Sequence, residues 1–322
     1  MIIALYNLET KKPKKIYNTA MMQVSRYHKD LGHIVEIYRA ENHHKYDRIY
    51  VFSIFDFTPK PSWIFSDSRV IYGGTGFDPE IKLPAAIAQC NYDWSLYPDC
   101  KYSIVRFSRG CIRNCPFCIV RQKEGYIRPV KPKNLNPNAT HVRVYDNNFF
   151  ANPEWRKAVK QLIEWNEIGL KTQFDGVDVR LLDEEMCEAL NTIKMNNTRN
   201  IHIAWDLPKI DIRPQLDKVL QWVKGYKFIC YVLVGFNSTI EQDLFRIHEL
   251  MKRNVDPFVM IYNKRQDSPL LEKLARWCNK APIRRACTFD EYLQTYDLTI
   301  SKMVHQKKLT DYFSPTKIIQ SE

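Results

Sequence analysis

From Tyr102 onward the chain repeats one unit, a short apolar β-rich run followed by a helical stretch. The runs fall at Tyr102–Phe107, His141–Asp146, Thr172–Val179, Ile201–Asp206, Phe228–Phe236 and Pro257–Tyr262. The helical stretches are Pro153–Ile168, Asp183–Met195, Arg213–Lys224 and Thr239–Arg253. Strands joined through helices pair in parallel by right-handed crossovers, not as hairpins. Six such strands predict a parallel sheet, and the fourfold βα repetition predicts a partial (β/α)6 TIM-like barrel over residues 101–265. Pro153 and Asp183 stand where helix starts favour them. Barrel functional groups sit at the carboxyl ends of strands. Here those ends are polar, unlike the strands that feed them: Phe107–Cys118, Asp146-Asn147-Asn148, Asp178-Val179-Arg180, Asp206, Gly235-Phe236-Asn237 and Tyr262-Asn263-Lys264.

Residues 1–100 carry a shorter version of the pattern. Ile2–Tyr6, His33–Tyr38, Arg48–Phe55 and Arg69–Tyr72 read as strands, and Tyr17–Leu31 as a helix that stops at Gly32. A small Rossmann-like α/β domain is expected there. Its last strand runs into Gly73-Gly74-Thr75-Gly76, which reads either as a structural turn or as a phosphate cradle; no helix follows at once, which favours the turn. Residues 266–322 are expected to form a helical C-terminal extension with Trp277 and Tyr292 as packing anchors.

Apolar residues make up 45% of the chain, enough for a real core, and no apolar run reaches the roughly 18 residues that span a bilayer. The opening MIIALYNLETKKPKK has its charges after the apolar run and lacks a small-residue cleavage site, so it reads as strand and turn. A cytoplasmic location and no membrane contact are the expectation. In that setting nine cysteines point to metal or catalysis more than to disulfides.

Three of the nine, Cys111, Cys115 and Cys118, crowd into RGCIRNCPFCIV. The +12 net charge concentrates around them: Lys101 to Lys133 holds nine basic residues and one acid, Glu124. That block is either a solvated basic loop or a site that attracts or stabilises negative charge. Structural zinc needs four ligands; Cys187 is too far downstream, and upstream Cys100 is a possible fourth. A [4Fe–4S] cluster takes one thiolate per iron, so three cysteines leave one iron open. Gly110 permits a tight entry to the loop and Pro116 stiffens its middle. Arg109, Arg113 and Arg121 are placed to lower thiolate pKa values and offset a negative cluster. Of the remaining cysteines, Cys187 and Cys230 lie on apolar faces and read as core, and no partner is evident for Cys278 or Cys287.

Cys111-Ile-Arg-Asn-Cys115-Pro-Phe117-Cys118, following a strand that opens a βα repeat, resembles the signature of the radical S-adenosylmethionine (SAM) enzymes. The resemblance spans about residues 101–265. It implies a [4Fe–4S] cluster on Cys111, Cys115 and Cys118, whose open iron chelates the amino and carboxylate groups of SAM. One electron then cleaves SAM, and a 5′-deoxyadenosyl radical takes hydrogen from a substrate. Phe117 is similar to the family aromatic whose backbone lies near the adenine. Asp146, Asn147 and Asn148 occupy the place of a Gly-Gly-Glu run that holds the SAM ammonium; this chain departs from that run, and an Asn-rich turn is the competing reading. Arg180 is placed either to pair with the SAM carboxylate or to form a plain salt bridge. Gly235 resembles the fifth-strand glycine near the adenine, with Met260 and Tyr262 lining the same pocket from strand six.

Residues 1–100 resemble the Rossmann-like region ahead of the barrel in cobalamin-binding radical SAM proteins and their cobalamin-free relatives. No Asp-x-His-x-x-Gly stretch occurs; the nearest candidates are His28 and His33, so cobalamin is not expected. The partners expected are a low-potential donor, flavodoxin or ferredoxin, and an unidentified substrate. Two alternatives stay open. One is a tRNA- or other nucleic-acid-modifying member, with Phe149, Phe150, Trp155 and Trp165 stacking on bases. The other is a non-catalytic iron–sulfur or zinc protein that binds nucleic acid through its basic loop.

Overall fold

The computed structural model describes residues 1–11, 17–197, 199–262 and 268–295. The chain divides into two compact units, 1–114 with 118–142, and 115–117 with 143–322.

In the first unit, strands β1 (Ile2–Asn7), β2 (Ile34–Ile37), β3 (Arg48–Phe52) and β4 (Val70–Gly73) form a parallel sheet of order β2-β1-β3-β4. Parallel pairing requires crossovers, and helix α1 (Thr19–Asp30) supplies the one between β1 and β2. Asn18 caps that helix by accepting from the Met21 N–H at 3.1 Å. Alternate residues of β1 enter two cores, as the strand period of two dictates. Ile3 and Leu5 join Met21, Val24, Phe52 and Ile87; Ala4 joins Tyr46, Ile49, Val51 and Ile64. Ile87 belongs to the short helix α2 (Ala85–Gln89).

The glycine turn after β4 is structural. A Cβ on Gly74 would sit 2.3 Å from the Ser53 carbonyl oxygen, and one on Gly76 would sit 2.5 Å from the Phe55 carbonyl oxygen. Beside it the buried Glu9 gathers its neighbours. Its Oε1 accepts from Ser53 Oγ, Thr58 Oγ1 and the Ile54 N–H at 3.0–3.2 Å. His28, one of the two histidines nearest to a cobalt-binding pattern, lies with Nδ1 2.9 Å from His33 Nδ1 and Nε2 3.0 Å from the Tyr50 hydroxyl.

The larger sheet is built from β5 (Tyr102–Val105), β8 (His141–Val144), β9 (Lys171–Phe174), β10 (Ile201–Ala204), β11 (Phe228–Val234) and β12 (Asp256–Ile261). Between β5 and β8 lie the two-residue strands β6 (Ser108–Arg109) and β7 (Arg128–Pro129) and helix α3 (Val120–Glu124). The sheet order is β12-β11-β10-β9-β8-β5, so neighbours in the sheet are neighbours in the chain, and the registered pairs from β9 to β12 are parallel. The connecting helices are α4 (Trp155–Glu167), α5 (Glu184–Thr192), α6 (Arg213–Val219) and α7 (Ile240–Lys252). Asp183 caps α5 through the Met186 N–H at 2.8 Å, and a Thr239–Gln242 capping box opens α7. Both sheets are parallel and helix-connected, so this is an α/β fold.

One buried ion pair fixes the carboxyl ends of β10 and β11. Arg246 on α7 donates to the carbonyls of Trp205, Asp206 and Leu233 at 2.6–2.8 Å and to the Asp243 carboxylate; both charged side chains are 1% exposed. As far as it is described, the tail is helical: α8 (Pro269–Asn279), α9 (Ala281–Ala286) and α10 (Phe289–Thr295). Trp277 and Tyr292 are its buried anchors. Trp277 Nε1 donates to the Cys287 carbonyl at 3.0 Å. The expected strand end Asn263-Lys264 and residues 296–322 lie outside the described residues. Among the described residues no helix is long and apolar enough to cross a membrane.

Candidate functional site

In the first unit, the cysteine loop is entered through a β6–β7 hairpin whose Arg109 pairs with Arg128. Gly110 must be glycine. Its φ is +83°, and a Cβ there would sit 2.3 Å from the Tyr126 carbonyl oxygen. Glu124, the one acid of the basic block, holds the entry closed. It accepts from the Gly110 N–H at 3.0 Å and from Arg109 Nη1 at 2.6 Å. Burial alone would raise its carboxyl, but those two donors keep it below the ordinary value.

Arg121 donates to the Cys111 carbonyl at 3.1 Å and lies over the Tyr126 ring at 4.9 Å. The Arg113 N–H points to the Cys111 sulfur at 3.4 Å. Two of the three flanking arginines therefore shape the loop; their bonds are to Glu124 and to backbone, not to thiolates. The outer cations also divide. Lys123 reaches Thr75 Oγ1, and burial lowers its ammonium pKa, while Lys133 donates to the Gln89 carbonyl. Arg128 and Lys131 are exposed.

In the second unit, three of the residues singled out from sequence come together. Phe117 packs edge-on against Phe236 at 5.5 Å, and Phe236 against Tyr262 at 4.7 Å. Gly235, at the end of β11, has φ +75°, and a Cβ there would meet Leu271 Cδ1 at 2.8 Å. Met260 lies on β12 and Tyr262 just after its end, and both are about half exposed. Arg180 is held by its own turn: Nε and Nη2 donate to the two Asp178 oxygens at 2.7 and 2.8 Å. This salt bridge lies within electrostatic reach of Cys115 and Asp206.

Asp146 and Asn148 are buried at 2% exposure, while Asn147 is exposed. Gly176 lets the end of β9 pass directly against them, since a Cβ there would sit 2.2 Å from the Asp146 carbonyl oxygen. Asn148 Oδ1 is sealed from solvent with no hydrogen-bond partner among the described residues. Such an acceptor is costly unless a ligand completes it.

Asp206, which sequence reading noted only as a polar strand end, has its carboxyl pushed up to about 6. Burial outweighs the pull of Arg246, Arg180 and the Leu233 N–H. Unfolded aspartate titrates near pH 3.9. Between that value and about 6 the folded chain keeps a proton that the unfolded chain has released. Stability therefore falls as pH rises through this window and stays lower above it. Asp206→Asn should raise stability at pH 8 by about 2–3 kcal/mol and change it little at pH 4. Urea midpoints at both pH values check this; an equal shift at both would contradict it.

Among the described residues, no three His, Cys, Asp or Glu side chains are gathered closely enough to hold a metal ion. Cys111, Cys115 and Cys118 share one loop. They are unbridged thiols outside the core, the first two partly exposed and Cys118 exposed. Cys187 and Cys278, by contrast, are buried, and burial pushes their thiols up to about 11 and about 12. Cys100, the one candidate for a fourth zinc ligand, is also buried, with its thiol raised for the same reason. Cys90 and Cys287 are also partly exposed, so exposure alone does not set the three apart; their spacing within one loop does. No protein-family model matches the chain, and no curated protein matches it.

Proposed function

We propose that this chain is a radical SAM enzyme whose six-stranded sheet is a partial (β/α)6 barrel. It cleaves SAM reductively and uses the 5′-deoxyadenosyl radical to take hydrogen from a substrate. The observation that carries the reading is the Cys-x3-Cys-x2-Cys loop. It follows the first strand of a sequentially ordered six-stranded sheet, and its Phe117 packs edge-on against Phe236 beside Gly235. Cys111, Cys115 and Cys118 would hold a [4Fe–4S] cluster, which when bound supplies one electron to SAM. The chain's own residues bind and orient SAM. Phe117, Gly235, Met260 and Tyr262 offer apolar surface for the adenine, and Asn148 Oδ1 offers a desolvated acceptor for an ammonium.

Arg128 and Lys131 suit an acidic low-potential donor such as flavodoxin or ferredoxin, because opposite charge speeds encounter. Of the four aromatics offered for base stacking, Phe149, Phe150 and Trp155 are buried and Trp165 is partly exposed.

The test is Asn148→Ala. It should weaken SAM binding to reconstituted protein by about tenfold, as loss of one hydrogen bond to a charged group does. Thermal stability should hold or rise, because an unpaired buried acceptor is removed. Equilibrium dialysis with labelled SAM measures the first and a melting curve the second. Unchanged affinity would remove Asn148 from the site, and no SAM binding by the parent protein would remove the function.

A further inference from the structure

Four polar side chains on successive strands of the second unit take no part in the site above. Arg143 stands on β8, Asp175 just after β9, His202 on β10 and Tyr231 on β11. Arg143 Nε and Nη2 donate to the two Asp175 oxygens at 3.1 and 2.8 Å. His202 Nδ1 lies 3.1 Å from Asp175 Oδ1 and 3.1 Å from the Tyr231 hydroxyl. Gln173 also donates to Asp175 Oδ1, at 3.1 Å. Parallel strands buried on both faces are apolar runs. Here Phe174, Ile203 and Val232 are buried, while their sequence neighbours carry this array.

The array orients one ring atom. With a carboxylate on one side of Nδ1, the Nδ1–H form of His202 is the one stabilised, which leaves the lone pair on Nε2. Nε2 has no hydrogen-bond partner among the described residues, and it is not one of the polar atoms sealed from solvent. His202 is 8% exposed, so Nε2 is nearly buried yet carries no protein hydrogen bond among the described residues.

The surroundings limit what can meet that nitrogen. Arg143 and Asp175 offset each other's charge, which favours a neutral partner. Its flanks are aromatic. Tyr145 lies under the Arg143 guanidinium at 5.0 Å, and Phe258, which is 40% exposed, meets Tyr231 edge-on at 5.6 Å.

We propose that His202, positioned by Asp175, is a proton-transfer residue for a neutral aromatic or heteroaromatic substrate bearing a weakly acidic O–H or N–H. In the step, the substrate O–H or N–H bond breaks and its electron pair stays on the substrate. A new N–H bond forms at Nε2, leaving imidazolium beside the Asp175 carboxylate; the reverse transfer restores both. The proposal deepens the radical SAM reading by naming the substrate class, and its test does not depend on the cluster.

The probe is 4-nitrophenol, whose absorbance reports its ionisation, titrated into the full-length protein. The unmodified protein should bind it and raise the phenolate band above that of free dye at the same pH. His202→Gln should abolish that rise and weaken binding about tenfold. Nitrogen-15 NMR of the unmodified protein, which needs no variant to fold, should show His202 as the Nδ1–H tautomer, and Asp175→Asn should erode that preference. An unchanged dye spectrum, equal binding by His202→Gln, or an Nε2–H tautomer would each overturn the proposal. Iron content and SAM binding, read separately, decide the radical SAM reading without touching this one.

Discussion

Anaerobically purified protein is expected to hold about four irons and four sulfides per chain, and Cys115→Ala to lose nearly all of both. Cys111→Ala and Cys118→Ala should behave alike, because a cube held by three thiolates does not survive on two. Cys187→Ala is the control. It is the same chemical change, made at a thiol buried on α5, away from the loop, whose pKa burial pushes up to about 11. Iron and acid-labile sulfide assays read all four variants. Full retention in Cys115→Ala contradicts the ligand set outright, and equal loss in Cys187→Ala assigns it elsewhere.

The largest effect on stability is expected at Arg246. Its guanidinium saturates three carbonyls where β10 and β11 end and also neutralises Asp243, which is as buried as the arginine itself. Burial already pushes the Asp243 carboxyl upward in spite of the arginine. Arg246→Met would leave that acid and three carbonyls without their donor. Removing one partner of a buried pair costs about 3–5 kcal/mol, a large share of the roughly 5–15 kcal/mol that stabilises a domain. The double variant Arg246→Met with Asp243→Leu should recover part of the loss, because no uncompensated charge remains. Urea unfolding of the three proteins measures this. A single variant within about 1 kcal/mol of the parent would show that the pair does not pin the strand ends.

The alternation of strands and helices was legible because it rests on local periodicity, and every expected run from Tyr102 to Tyr262 contains a strand or helix. The carboxyl ends were not. Thr172–Val179 reads as one strand, yet β9 stops at Phe174. Gly176 lets the chain press against Asp146, and Asp178 caps a short 3₁₀ turn at Val179–Leu181. The cysteine motif was visible as spacing, and the basic block as a count. What the cations touch was hidden, because it depends on partners far along the chain: Lys123 on Thr75, Lys133 on Gln89. For the same reason the Arg143–Asp175–His202–Tyr231 array escaped notice. Each member is one polar residue in its own run, and only the sheet order brings them side by side. A polar residue alternating with buried ones on four successive strands was the available signal.

The most direct measurement is the paramagnetic resonance spectrum of the reduced protein, recorded with and without SAM. The account predicts a cluster signal that changes shape and g-values when SAM is added to the parent protein, and no signal in Cys115→Ala. A cluster signal indifferent to saturating SAM, or protein that carries zinc and no iron, would contradict it.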